Sequence, residues 1–147
     1  PGELVLADDS GLEIDALGGA PGIHSARYAT AEPHMLDSNI KDEANNAHVL
    51  RELLGIPAEK RTARFVCVLA ATRDGRTLDT FYGVVEGTIL DAPRGHNGFG
   101  YDPLFYFPQI GKTLAELTAV EKSRYSHRGA AFRQFLDWLD AGKARLK

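Results

Sequence analysis

Apolar and polar residues change their period several times along the chain, and each change predicts an element. Leu4, Val5, Leu6 and Ala7 form a short apolar run that predicts a buried strand, with Asp8 and Asp9 at or just past its end. The stretch GGAPGI (18–23) is a Gly/Pro-rich loop whose backbone freedom permits close approach to a ligand. HSARYA (24–29) fits either a short helix or an extended segment. From about Leu36 to Leu54, residues Ile40, Ala44, Ala47, Leu50 and Leu54 recur at spacings of three and four, which predicts a helix with these on one face. Asp37 or Ser38 suits its N-cap, Asp42 and Glu43 its first turns, and Gly55 with Pro57 its end. Asn45, Asn46 and His48 are then expected on or near the wet face.

After this helix the pattern turns to strands. ARFVCVLAA (63–71) is almost continuously apolar, as in a strand covered on both faces. Asp74-Gly75 supplies a hairpin turn, and residues 77–90 return with Gly83 and Gly87 marking bulges or bends. A loop rich in Pro, Gly and Asn leads into GFGYDPLFYFP (98–108), whose second half reads as another buried strand. Leu114 to Leu117 predicts a short helix. A longer one runs from near Ser126 to about Ala141, with Phe132, Phe135, Leu136 and Leu139 facing the core and Gly142 as its stop. Helices and strands in this order predict an α/β fold, a mixed twisted sheet flanked by helices, in one domain over residues 1–147 with two lobes.

Composition narrows the function classes. At 147 residues, 44% hydrophobic and 25% charged, the chain has the make-up of a soluble globular domain. Lys plus Arg is 17 against 20 for Asp plus Glu, and the formal charge of −3 argues against sequence-independent binding to nucleic acid. No apolar run approaches the roughly 20 residues of a membrane span. No basic region followed by a hydrophobic one marks a signal peptide. The single cysteine, Cys67, lies in an apolar run and has no internal disulfide partner, which fits a reducing, cytoplasmic setting and a structural thiol. The chain opens on Pro1 almost at a strand, and the expectation is of a unit that lacks its beginning.

Three stretches combine residues that a core does not require. Asp8-Asp9-Ser10-Gly11 sets two carboxylates side by side; carboxylates of this kind can bind Mg²⁺ or orient an attacking water, and equally can cap a turn. Gly98-Phe99-Gly100-Tyr101-Asp102-Pro103 lets backbone and ring approach a flat ligand; stacking on a base is worth about 1–3 kcal/mol. In Lys122-Ser123-Arg124-Tyr125-Ser126-His127-Arg128-Gly129, Ser126 is an N-cap candidate. It places His127 and Arg128 in a first helical turn, where cations oppose the helix dipole unless an anionic or carbonyl-bearing ligand offsets them. Neither G-x-x-x-x-G-K-[ST], G-x-G-x-x-G nor H-E-x-x-H occurs. The three together suggest a nucleotide site.

In their order, ADDSGLEIDALGGAPGIHSARYA, GFGYDPLF and EKSRYSHRGAAF resemble the inosine triphosphate pyrophosphatase family, the non-standard purine NTP pyrophosphatases or dITP/XTP diphosphatases. The resemblance covers nearly the whole chain. It implies Mg²⁺-dependent hydrolysis of ITP, dITP or XTP to the monophosphate and pyrophosphate, by a homodimer with a deep cleft between lobes. It also implies Asp9 as proton acceptor and Mg²⁺ ligand, Asp8 as support for the metal, and Ser10 as a substrate contact. Phe99, Gly100, Tyr101 and Asp102 match the base pocket, and Lys122, His127 and Arg128 the remaining substrate contacts. Arg27 and Tyr28 fall in a matching stretch without an implied role. The family's opening strand and Thr-Asn-x-x-Lys-type phosphate loop are not in this sequence. That departure leaves a non-catalytic nucleotide-binding domain as the alternative. Septum-inhibitor-like nucleotide pyrophosphatases are a third reading, and GFGYDP with SHRG favours the first over it.

Overall fold

The computed structural model describes residues 2–29 and 37–143. Its strands are β1 (Val5–Ile14), β2 (Thr62–Arg73), β3 (Arg76–Ile89), β4 (Phe105–Phe107) and β5 (Lys112–Thr113). Its helices are α1 (Ser38–Glu52), α2 (Ala119–Tyr125) and α3 (His127–Asp140), with 3-10 turns at Asp15–Leu17, Gly22–Arg27, Ala58–Lys60 and Leu114–Glu116. The strands form one sheet in the order β1-β2-β3-β4-β5, every pairing between them antiparallel. The α/β class is as expected, although parallel pairs are absent from this sheet among the described residues. HSARYA resolves into the second 3-10 turn. The Leu36 start of the predicted helix lies outside the described residues.

β1 is longer than the sequence suggested. Asp8 and Asp9 sit mid-strand, opposite Leu69 and Val68, and the strand runs on to Ile14. The Leu4–Ala7 run is not the buried part, since Val5 and Ala7 are exposed on the sheet's edge strand while Leu12 and Ile14 are fully buried. β2 likewise has one deeply buried face, Ala63, Phe65, Cys67, Leu69 and Ala71, and a half-buried one carrying Val66 and Val68. The expected coverage of both faces is therefore absent here; Tyr82 and Val84 beside them on β3 are exposed. Asp74-Gly75 turns the hairpin with φ of 52° and 75°, the left-handed pair that a two-residue turn matched to strand twist needs.

Two apolar clusters divide the buried sheet face along its length. One gathers Leu12, Ile14, Val49, Leu53, Phe65, Leu104, Phe105, Phe107, Leu114 and Leu117. The other packs Cys67, Leu69, Ala71 and Phe81 against Ala131, Phe135 and Trp138 of α3. α3 thus buries a stripe of Ala131, Phe135 and Trp138, while the predicted Phe132 and Leu136 are roughly 40% exposed. α1 is rotated in the same way: Asn45, Val49 and Leu53 are inside, and Ile40, Ala47 and Leu54 are exposed. Buried Arg61 ties the end of α1 to the sheet, donating to the carbonyls of Ile56, Leu53 and Leu90 at 2.9, 3.0 and 3.3 Å. Gly83 and Gly87 keep regular register and are not bulges. They lack side chains because the His127 carbonyl lies against Gly83, and the Tyr106 carbonyl and Phe105 ring against Gly87.

Candidate active site

A cleft of about 1030 Å³ opens beside Leu12, Phe65, Tyr101 and Leu117 of the first cluster, and all three singled-out stretches reach it or its rim. Strand alternation decides how β1 contributes. Ser10 and Leu12 line the cleft, and Asp8 shares their face. Asp9 faces the other way, opposite Val68 on the exposed side of the sheet. Among the described residues no group of three or more His, Cys, Asp or Glu side chains is gathered, but Mg²⁺ at a phosphate site takes only one or two carboxylates beside phosphate and water oxygens. Of the two carboxylates expected to serve a metal, period-two geometry sets Asp8 on the face of β1 shared with Ser10 and Asp9 on the other.

Asp8 is engaged elsewhere. Arg128 Nε donates to its Oδ2 at 2.6 Å, and Ser10 Oγ to its Oδ1 at 2.8 Å. Partial burial works to raise the Asp8 pKa, but these two hydrogen bonds and the Arg128 charge outweigh it and hold the carboxyl below its usual range. Cys67 lies beneath, buried and free, with Sγ 3.8 Å from Asp8 Oδ2; burial pushes its thiol pKa up. A thiol placed and shifted in this way has the character of a structural residue.

The GFGYDP stretch divides its rings between two roles. Phe99 is 59% exposed, with Lys122 Nζ 4.3 Å and Arg128 Cζ 5.4 Å from its ring centre. Tyr101 is buried and donates its hydroxyl to the Ser25 carbonyl at 2.5 Å; burial raises its pKa, so it stays a neutral donor. Asp102 is buried as well, accepting from Lys122 Nζ at 2.5 Å and from the Phe99 N–H at 3.1 Å. Burial raises the Asp102 pKa, opposed by the Lys122 hydrogen bond and charge. Gly98 has φ of 74°, and a Cβ there would fall on the Asp102 carboxylate.

Ser126 caps α3 by accepting the Gly129 N–H at 2.9 Å, as its position in the sequence indicated. It also closes α2, a short helix announced by the Thr118–Glu121 capping box. The cap sets His127 flat on Phe65, rings 4.7 Å apart and 14° from parallel. Burial, then the Arg128 and Lys122 charges, lower the His127 pKa to about 4, so the imidazole is neutral at pH 7. Its buried Nδ1 has no hydrogen-bond partner.

This shift carries a sign. The folded value lies below the ordinary 6.5, so neutral His127 is fully tolerated above 6.5. As pH falls from 6.5 through 4, protons bind the unfolded chain first and stability is lost, on the order of 3 kcal/mol in all. His127→Phe, which keeps the ring stack and removes the titration, is expected to flatten this limb in urea unfolding at pH 7 and pH 4.5. An unchanged slope would assign the limb to other groups.

α1 supplies residues that the sequence reading set on a wet face or passed over. Asn45 is 3% exposed and bonds the Ala29 N–H at 2.9 Å and the Ser25 and Ala26 carbonyls at 3.4 and 3.3 Å. Asp42 and Asn46 bond the backbone of Gly100. His48 stays half-exposed, edge-on to Tyr28 and 3.8 Å from Glu52. The missed signal was polar residues at the same three-and-four spacing as apolar ones.

The fold and the site define an α/β protein with a cleft in which an aromatic face lies among fixed cations. The chain belongs to the Ham1 family, whose family model matches residues 1–138. It is 53% identical over 146 residues to a dITP/XTP pyrophosphatase of Geobacillus kaustophilus, covering 97% of this chain and 68% of that one. A Shouchella clausii protein of the same name is 53% identical over 138 residues, covering 94% and 66%. Among solved structures, the Staphylococcus aureus Ham1 protein matches with a TM-score of 0.84 at 43% identity, over 96% of this chain and 69% of that one. A HAM1 protein from Coxiella burnetii matches with a TM-score of 0.81 at 42% identity, over 94% and 68%. The chain spans about two thirds of the length of the curated relatives it matches.

Proposed function

We propose that this chain carries the base-recognition and catalytic elements of a pyrophosphatase that hydrolyses ITP, dITP and XTP to the monophosphate and pyrophosphate. The observation that carries the reading is the cleft itself. It brings Ser10, Phe99, Lys122, His127 and Arg128 together from three distant stretches of sequence. The names of the relatives support the same reaction. A flat base stacks on Phe99, and Lys122 and Arg128 supply the positive charge a polyphosphate or a ring carbonyl requires. Hypoxanthine and xanthine carry a carbonyl at position 6, where adenine carries an amino donor. Donors aimed at that position leave adenine mispaired, at about 1–3 kcal/mol.

Mg²⁺ is the proposed cofactor, by resemblance and by its affinity for phosphate and carboxylate oxygens. Asp8 and Asp9, on opposite faces of β1, would each offer it a single carboxylate beside the substrate's phosphate oxygens. By resemblance the proton-accepting role stays with Asp9 in this proposal, although its side chain stands on the face of β1 away from Ser10 and the base cleft. Arg128 already neutralises Asp8, whereas among the described residues Asp9 has no side-chain partner and stands on the sheet's edge strand. A cytoplasmic homodimer is the proposed setting: the buried lone thiol supports a reducing compartment, and the dimer rests on the resemblance.

The test is pyrophosphate release with Mg²⁺ from ITP, dITP and XTP against ATP and GTP. Turnover of the first three supports the reading; nucleotide binding without turnover by the wild-type chain refutes the catalytic part. Asp9→Asn is expected to abolish release while Asp8→Asn retains it, and the reverse would move the base to Asp8. Arg128→Ala is expected to lower the preference for ITP over ATP by about tenfold. Unchanged selectivity would remove Arg128 from base recognition.

A further inference from the structure

We propose that α1 is a positioning element for base recognition, acting through Asp42 and Asn46 on the backbone of Gly100; the inference rests on the nucleotide reading above. Asp42 and Asn46 are one helical turn apart and share a face of α1. Asp42 Oδ2 accepts the Gly100 N–H at 2.8 Å, and Asn46 Nδ2 donates to the Gly100 carbonyl at 3.1 Å. Both backbone groups of one residue are thus held by a helix more than fifty positions away. Gly100 has φ of 61°, a left-handed conformation that turns the chain between Phe99 and Tyr101.

The consequence falls on Phe99. Its own N–H is fixed by Asp102 Oδ2 at 3.1 Å and its carbonyl accepts the Asp102 N–H at 3.2 Å. The turn is therefore pinned by Asp102 on one side and by α1 on the other. Its exposed ring stands at the tip, with Lys122 and Arg128 against it. A platform held in this way does not have to be ordered when a base arrives, so the ordering cost of binding is met during folding. Asp42 lines the cleft and Asn46 does not; in this proposal both act through the placement of Phe99, and Asn46→Ala reads that effect without a cleft-lining group being changed.

Asp42→Ala removes the acceptor, and Asp42→Asn keeps an oxygen in the same place. The expected result for Asp42→Ala is a KM for ITP and a calorimetric Kd for IMP raised about tenfold, with kcat within about twofold of wild type. Asp42→Asn is expected within about threefold of wild type on both. In a Phe99→Ala background, Asp42→Ala is expected to add almost nothing, because its effect passes through the missing ring. A full effect of Asp42→Ala in that background, equal losses in Asp42→Asn and Asp42→Ala, or a fall in kcat at constant KM would each overturn the proposal. Should Asp42→Ala fail to fold, Asn46→Ala takes its place, since it releases the other half of the same latch. A wild-type chain that binds IMP without turnover would refute the activity and leave the IMP comparison to decide the latch. No IMP binding at all would overturn both.

Discussion

Lys122→Met is expected to destabilise the protein by about 3–5 kcal/mol at neutral pH, among the largest single-residue effects in the molecule. The reason is Asp102. Its side chain is 5% exposed, and Lys122, 20% exposed, is its cationic partner at 2.5 Å. Removing the cation leaves a buried carboxylate with the Phe99 N–H as its remaining donor. Methionine keeps most of the volume, so loss of packing contributes little. Burial already places the folded Asp102 pKa above its ordinary 3.8. The charged form therefore costs stability, absent below 3.8 and complete above the folded value. Without Lys122 the folded value rises further. The deficit of Lys122→Met is thus expected to shrink as pH falls and the carboxyl takes up a proton. Asp102→Asn added to Lys122→Met is expected to recover much of the stability at pH 7. Urea unfolding across pH 4.5 to 8 reads all three. A deficit independent of pH would mean that Lys122 acts by packing and not by charge.

The sequence made some of this legible and hid the rest for identifiable reasons. Ser126, Asp37 and Asp74-Gly75 were readable because caps and tight turns depend on a few neighbouring residues. The three motif stretches were readable because their residue types are costly to place without a use. The burial of Asn45 was not, because its three backbone partners belong to the 25–29 turn, far away in sequence. The stripe on α3 differs from the expected one because Trp138 and Ala131 fit against Phe81 and the sheet, whereas Phe132 borders the cleft. The extent of β1 was misjudged because its polar residues looked like a strand's end. They are polar because one face of that edge strand lines a cleft and the other is exposed. The alternation of Leu12 and Ile14 with Gly11 and Glu13 carried the missing signal. Extending that period back separates Asp8 and Ser10 from Asp9.

Gly83→Ala is the second substitution expected to have a large effect, and the comparison with Gly87→Ala gives it meaning. Alanine in a regular strand position normally gains about 0.5–1 kcal/mol over glycine through the unfolded chain's entropy. At Gly83 the added methyl would fall on the His127 carbonyl, with the Ala131 amide at 2.8 Å. Both are backbone atoms of α3, and no flexible side chain can move aside. The helix must lift from β3, at about 3 kcal/mol or more, which outweighs the entropic gain. The lift acts on the first turn of α3, where His127 stacks on Phe65 and Arg128 reaches Asp8 across the cleft. Gly83→Ala is therefore expected to lose both stability and IMP affinity, the latter by tenfold or more in rough terms. Gly87→Ala meets the Tyr106 carbonyl at 2.5 Å and the Phe105 ring at 2.7 Å, beside the end of β3 that pairs with β4. It is expected to lose stability while keeping wild-type affinity in the fraction that folds. Thermal unfolding and IMP calorimetry on the two variants separate the cases. Equal affinity losses would mean that strand packing in general, and not the seating of α3 on Gly83, sets the position of His127 and Arg128.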